Sequence, residues 1–184
     1  LPDHSYLLPL HSMAPQKNIP RLIGSFNRIV RQQEVSDLSL VLAGGLGRSL
    51  GDVLEDLEVE KEDLENVHFT GFVADEDLAA LYSGAEAFVF PSLYEGFGLP
   101  VLEAMQCGCP VIASNSSSIP EIAGDAAVLV DPYDGDSMTE AITRVFHSPS
   151  LRDQMSERGI KQAEKYSWSK RAKNMVDIYD KINS

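Results

Sequence analysis

Two carboxylates, Glu95 and Glu103, stand with seven residues between them in the run Phe90-Pro91-Ser92-Leu93-Tyr94-Glu95-Gly96-Phe97-Gly98-Leu99-Pro100-Val101-Leu102-Glu103-Ala104-Met105. A short apolar run ends at Phe90, a glycine-containing loop follows, and Pro100 fits the first turn of a helix starting near Gly98, where a missing N–H does no harm. One carboxylate therefore lies before the helix and the other a turn inside it. The backbone N–H groups of Phe97, Gly98 and Leu99 have no intrahelical acceptor, and with the helix dipole they suit a diphosphate or a developing negative charge. The carboxylates suit hydroxyls, from which they accept hydrogen bonds. A ligand with a diphosphate flanked by two polyols satisfies both kinds of group. A nucleotide sugar is such a ligand, its ribose meeting Glu103 and its sugar Glu95.

Other chemistry-bearing residues have ordinary explanations beside the functional one. Lys17 is a surface lysine by default, but its loop position after a strand and its neighbour Asn18 also admit ligand binding. His11 lies at the same strand end, while His4, His68 and His147 are scattered. The turn Gly44-Gly45-Leu46-Gly47-Arg48 lets backbone approach a ligand, although tight geometry alone explains many such turns. Asp134-Gly135-Asp136 spells a carboxylate pair that could hold a divalent cation, and its place before a helix favours turn and N-cap duty. Cys107 and Cys109 have no further Cys or His beside them to complete a zinc site and read as small buried residues. No metal ligand set is assigned, and Trp168 is expected to be a packing residue.

These residues need a scaffold, and short apolar runs alternating with segments of helical period predict one: an α/β, doubly wound parallel sheet of Rossmann-like type. Six strands are expected, at Tyr6 to Leu10, Leu38 to Ala43, Val67 to Phe69, Ala87 to Phe90, Val111 to Ala113 and Ala127 to Val130. Ile19, Leu22, Ile23, Phe26, Ile29 and Val30 recur at helical spacing between the first two. Asp75-Glu76-Asp77 open another helix, with Leu78, Leu81 and Tyr82 on its buried side. Ser137 and Glu140 have the spacing of a capping box before Met138 to Phe146, and Pro149 separates that helix from Leu151 to Tyr166. Trp168, Ala172, Met175, Val176 and Tyr179 form an apolar stripe on the last helix, expected to be partly exposed as a patch where a further domain of a longer chain would dock. Val53, Leu54 and Leu57, with the acidic stretch Glu55 to Glu65, read as a helix and loop with a solvated face.

The 184 residues, 43% of them hydrophobic, suit one domain with a substantial core, spanning 1–184. With 28 Asp+Glu against 15 Lys+Arg, the net charge of −13 disfavours nucleic acid and an anionic membrane surface as partners. It does not exclude a single nucleotide, because charges beyond about 8 Å are largely screened at physiological salt. No run is long and apolar enough to span a membrane, and two cysteines are too few for a disulfide scaffold, so a reducing, cytoplasmic setting is expected. A chain beginning at Leu1 with a strand at Tyr6 is expected to be a piece of a longer one.

At the stretch Glu-Gly-Phe-Gly-Leu-Pro-Val-Leu-Glu-Ala-Met the sequence resembles the C-terminal, donor-binding domain of the retaining glycosyltransferases of group one, or family four, which have the GT-B fold. Lys17-Asn18, Val41-Leu42-Ala43-Gly44-Gly45, Phe69-Thr70-Gly71-Phe72-Val73, Ser118-Ile119-Pro120-Glu121 and Val130-Asp131-Pro132 support it, in the family's order along almost the whole chain. The resemblance implies a nucleotide-diphosphate sugar as donor substrate, no cofactor or metal, and transfer with retention of anomeric configuration. Glu95 would contact the sugar and Lys17 the diphosphate, as the catalytic pair. Phe97, Gly98 and Leu99 would approach sugar and phosphates, Glu103 would bind ribose, and Gly45, Arg48 and Val73 would lie near the base, with His11 beside the ligand. The acceptor would sit mainly on an N-terminal domain absent here, through which any peripheral membrane association would run, and this half alone would be inactive. Leu10-His11-Ser12 stands where the family usually has a glycine, and Gln16 where it has arginine. Those departures motivate an alternative, a non-catalytic nucleotide-sugar binding or interaction module of the same fold. A GT-B epimerase or phosphorylase fits less well, since no cofactor-bearing lysine is identifiable.

Overall fold

A computed structural model of the chain describes residues 2–10, 14–32, 35, 37–45 and 61–182. The expected His11, Arg48 and the helix around Val53 to Leu57 lie outside the described residues, as does most of the acidic stretch. Six strands, β1 (Ser5–Leu8), β2 (Leu38–Ala43), β3 (Val67–Gly71), β4 (Ala87–Phe90), β5 (Val111–Ser114) and β6 (Ala127–Val130), form one sheet. Every pairing is parallel, in the order β3-β2-β1-β4-β5-β6. The order reverses between β1 and β4, and such a switch point opens a crevice outside the carboxyl ends of the strands.

The α-helices among the described residues are α1 (Ile19–Arg31), α2 (Asp75–Gly84), α3 (Leu99–Gln106), α4 (Ile119–Ala123), α5 (Gly135–His147), α6 (Pro149–Ala163) and α7 (Trp168–Ile182). Alternate strand residues feed two cores. Leu7, Leu40, Leu42, Ala87, Val89 and Ile112 pack with the apolar faces of α1 and α5. Tyr6, Leu8, Val41, Phe88, Phe90 and Val111 pack with α2, α3 and α4 on the other side. Burial on both faces explains why β4 reads as an unbroken apolar run and β2 as one broken only by Ser39.

Several expectations shift. β1 stops at Leu8 because Pro9 has no N–H for the ladder, and Leu10 keeps only an isolated bridge to Ala43. α5 begins at Gly135, earlier than the Ser137 and Glu140 box implied, because Asp134 caps it by accepting Asp136 N–H at 2.9 Å. Pro149 opens α6 rather than separating helices, with Ser148 as the cap, and the helix ends at Ala163. Trp168 is 79% exposed, so it packs little within this chain, and the stripe is the exposed patch expected of it. Trp168 joins Met175, Val176, Tyr179 and Ile182 on an uncovered face of α7.

Candidate functional site

Lys17 and Glu95 reach one another because β1 and β4 are neighbours and both strands end at the same edge. After β1 the chain enters a single 3-10 turn at Pro15–Lys17, then α1; after β4 it forms the loop 91–98, then α3. The two loops are tied by Leu93 N–H donating to Gln16 O at 2.7 Å. Lys17 Nζ then lies 2.7 Å from Glu95 Oε1, with side chains only 19% and 17% exposed. The ammonium also stands 4.8 Å from the centre of the Phe90 ring, whose face attracts a cation.

Serines after β5 shape the Glu95 loop. Ser116 Oγ donates to Leu93 O at 3.0 Å, Ser117 Oγ accepts Glu95 N–H at 2.9 Å, and Ser118 Oγ bonds Glu95 O at 3.0 Å and Phe97 O at 2.9 Å. Gly98, at φ +101, turns the chain into α3 without a capping side chain. Pro100 has no N–H, and the first ladder bond runs from Val101 N–H to Gly98 O at 3.1 Å. The expected amides of Phe97, Gly98 and Leu99 are thus the open end of α3. Phe97 is partly exposed and its ring meets the Tyr166 ring edge-on, centroids 6.2 Å apart.

Glu103 is exposed on α3 and accepts a hydrogen bond from Tyr82 Oη at 3.1 Å. Burial, and then the adjacent Glu103 carboxylate, push the Tyr82 phenol well above its ordinary range, so it stays a donor. Farther along the same sheet edge, Gly44 N–H bonds Gly71 O at 3.0 Å. That bridge brings exposed Gly45 and half-buried Val73 to neighbouring loops after β2 and β3.

Among the described residues, no three or more His, Cys, Asp or Glu side chains gather as a cation site. Asp134 is occupied as a helix cap and Asp136 pairs with Arg28. Cys109 is buried and Cys107 half-buried, and burial raises both thiols. Sequence reasoning did not find Ser117, Ser118 or the hydroxyl of Tyr82. The serine run beside Ser118-Ile119-Pro120-Glu121 was the only local signal for the first two.

A family profile described as "Glycosyl transferases group 1" matches residues 2–162. O-antigen chain mannosyltransferase B of Escherichia coli is 39% identical over 175 residues, covering 95% of this chain and 45% of that protein. The serotype-specific mannosyltransferase WbdA of Escherichia coli is 32% identical over 183 residues, 99% of this chain and 22% of that one. Among solved structures, a sucrose-phosphate synthase from Thermosynechococcus elongatus superposes with TM-score 0.81 at 28% identity, over 99% of this chain and 46% of that one. The chain therefore spans less than half the length of these relatives.

Proposed function

The chain belongs to the group 1 glycosyl transferases, and from that premise we propose that it is the donor-binding half of a hexosyltransferase that takes a nucleotide-diphosphate sugar. The observation that carries this reading is the meeting of Lys17, Glu95 and the open N-terminus of α3 at the β1/β4 switch point. Lys17 and the free amides stabilise the leaving diphosphate as its charge develops, Glu95 orients the sugar, and Glu103 holds ribose. Both supports are held by backbone and serine contacts, and the family resemblance extends the reading to transfer without a metal and with retention of configuration. Gly45 and Val73 place their loops beside the base. Two relatives are mannosyltransferases by name, which makes a mannosyl donor the first to try.

The relatives' greater length supports a further N-terminal domain carrying the acceptor, in a cytoplasmic enzyme that this half alone does not complete. The uncovered apolar face of α7 is a suitable contact for it. No helix among the described residues is long and apolar enough to cross a membrane. Calorimetry with GDP-mannose and UDP-glucose tests the assignment: Glu95→Ala and Glu103→Ala each weaken donor binding without unfolding the domain. Unchanged affinity in both variants overturns it.

A further inference from the structure

Asn18 is buried, 7% exposed, at the junction between the 3-10 turn and α1. Its backbone is left-handed, φ +56 and ψ 31. Its N–H closes the turn on Pro15 O at 3.1 Å, and its carbonyl accepts Leu22 N–H at 3.2 Å to start the helix. The side chain is fully used. Nδ2 donates to Pro91 O at 3.2 Å and to Pro132 O at 2.7 Å, the first just beyond β4 and the second just beyond β6. Oδ1 accepts from Arg21 Nη1 at 3.1 Å, and the same guanidinium nitrogen donates to Pro132 O at 3.0 Å.

We propose that Asn18 is the positioning residue for the diphosphate-binding cation, locking the Lys17 turn to the Glu95 loop. Lys17 directly precedes it, so the left-handed step at Asn18 sets where the lysine side chain leaves the backbone. The amide then fixes that turn to Pro91, at the root of the loop carrying Glu95. Few residue types can do both. Asparagine tolerates a left-handed backbone and supplies two donors and an acceptor on a short stem. Aspartate would turn a carboxylate toward two carbonyl oxygens, and glycine would keep the backbone while leaving both carbonyls without their donor. The tie from Leu93 N–H to Gln16 O holds the two loops from the other side, and the Lys17 ammonium stands between Phe90 and Glu95.

This inference rests on the donor-binding reading, and the test separates the two. With the full chain, GDP, UDP, guanosine and uridine are titrated by calorimetry or by NMR for the weak nucleosides. Asn18→Gly is expected to weaken the diphosphates about tenfold while the nucleosides change less than about twofold. In a Lys17→Met background the same substitution costs nothing further. Equal losses for nucleoside and diphosphate, or losses that add to that of Lys17→Met, overturn the proposal. If Asn18→Gly does not fold, Arg21→Ala removes the brace on Oδ1 and is expected to show the same diphosphate-specific loss at about threefold. An Arg21→Ala loss shared by the nucleosides overturns it. Absence of nucleotide binding by the unsubstituted chain strikes the donor reading instead. A crystal structure of Asn18→Gly, or of Arg21→Ala in its place, then decides this one: loss of the Lys17 to Glu95 contact supports it, and an unchanged contact overturns it.

Discussion

The ammonium of Lys17 lies 2.7 Å from the carboxylate of Glu95, although 78 positions separate them in sequence. The residue proposed for phosphate and the residue proposed for sugar hydroxyls thus neutralise one another. On the proposed reading a diphosphate would compete with Glu95 for Lys17, and a pair this sheltered is worth about 1 kcal/mol.

Glu95→Gln removes that competition while keeping the shape of the loop. Free GDP or UDP is expected to bind about fivefold more tightly, the equivalent of about 1 kcal/mol. The preference for a nucleotide sugar over the free diphosphate is expected to vanish in the same titrations. A loss of diphosphate affinity in Glu95→Gln contradicts the competition.

The hydroxyl of Tyr82 orients Glu103 at 3.1 Å. Tyr82→Phe keeps the ring, which packs edge-on against Phe88 with centroids 5.2 Å apart, and deletes only that donor. Stability is expected to fall by about 0.5–1.5 kcal/mol in urea unfolding. Discrimination between GDP and its 2′,3′-dideoxy analogue is expected to fall with it, because the carboxylate proposed for ribose loses the donor that orients it. An unaltered ratio of the two affinities separates Tyr82 from ribose binding.

Gly98 carries φ +101, and a Cβ built there would meet Ile119 Cδ1 at 2.7 Å. Ile119 is fully buried and cannot swing into solvent. Gly98→Ala is therefore expected to cost about 1–3 kcal/mol in unfolding and to displace the amides at the start of α3. Nucleoside diphosphate binding, measured under folding conditions, should weaken as well. Binding and stability both unchanged would show that the turn tolerates a side chain.

The parts of this site that were legible beforehand are those written in local chemistry. Phe90 ends an apolar run because β4 is buried on both faces, and glycine then proline around Leu99 mark the helix start. Ser117 and Ser118 were illegible because each acts on the Glu95 loop from more than twenty positions away, a contact created by the adjacency of β4 and β5. The start of α5 was legible in part: Asp134 caps the helix as its Asp-Gly-Asp turn suggested, a turn before the Ser137 and Glu140 spacing placed the cap. α7 shows the limit of periodicity. Its stripe says which face seeks cover, not that cover is present, and Trp168 stands exposed at its start.

Cys109 offers a test of the fold that is independent of any ligand. Its thiol lies in the core beside α3, and burial, the leading cause, pushes it up to about 12 from 9.0, partly offset by a backbone hydrogen bond from Phe88. The unfolded chain releases this proton near the ordinary value while the folded chain keeps it. The contribution of the neutral thiol is therefore complete below pH 9.0 and is lost as pH rises toward about 12. Tyr82 and Tyr6, both raised by burial from 10.0, add their own decline only at higher pH. Between pH 9 and 10, then, urea stability is expected to fall with a slope of up to about 1.4 kcal/mol per pH unit per buried thiol. Cys109→Ala should flatten that segment while leaving the decline above pH 10. The half-buried Cys107, whose thiol is also raised, retains a share of the slope. A Cys109→Ala profile parallel to the parent's from pH 8 to 10 would place the alkaline weakness elsewhere in the sheet.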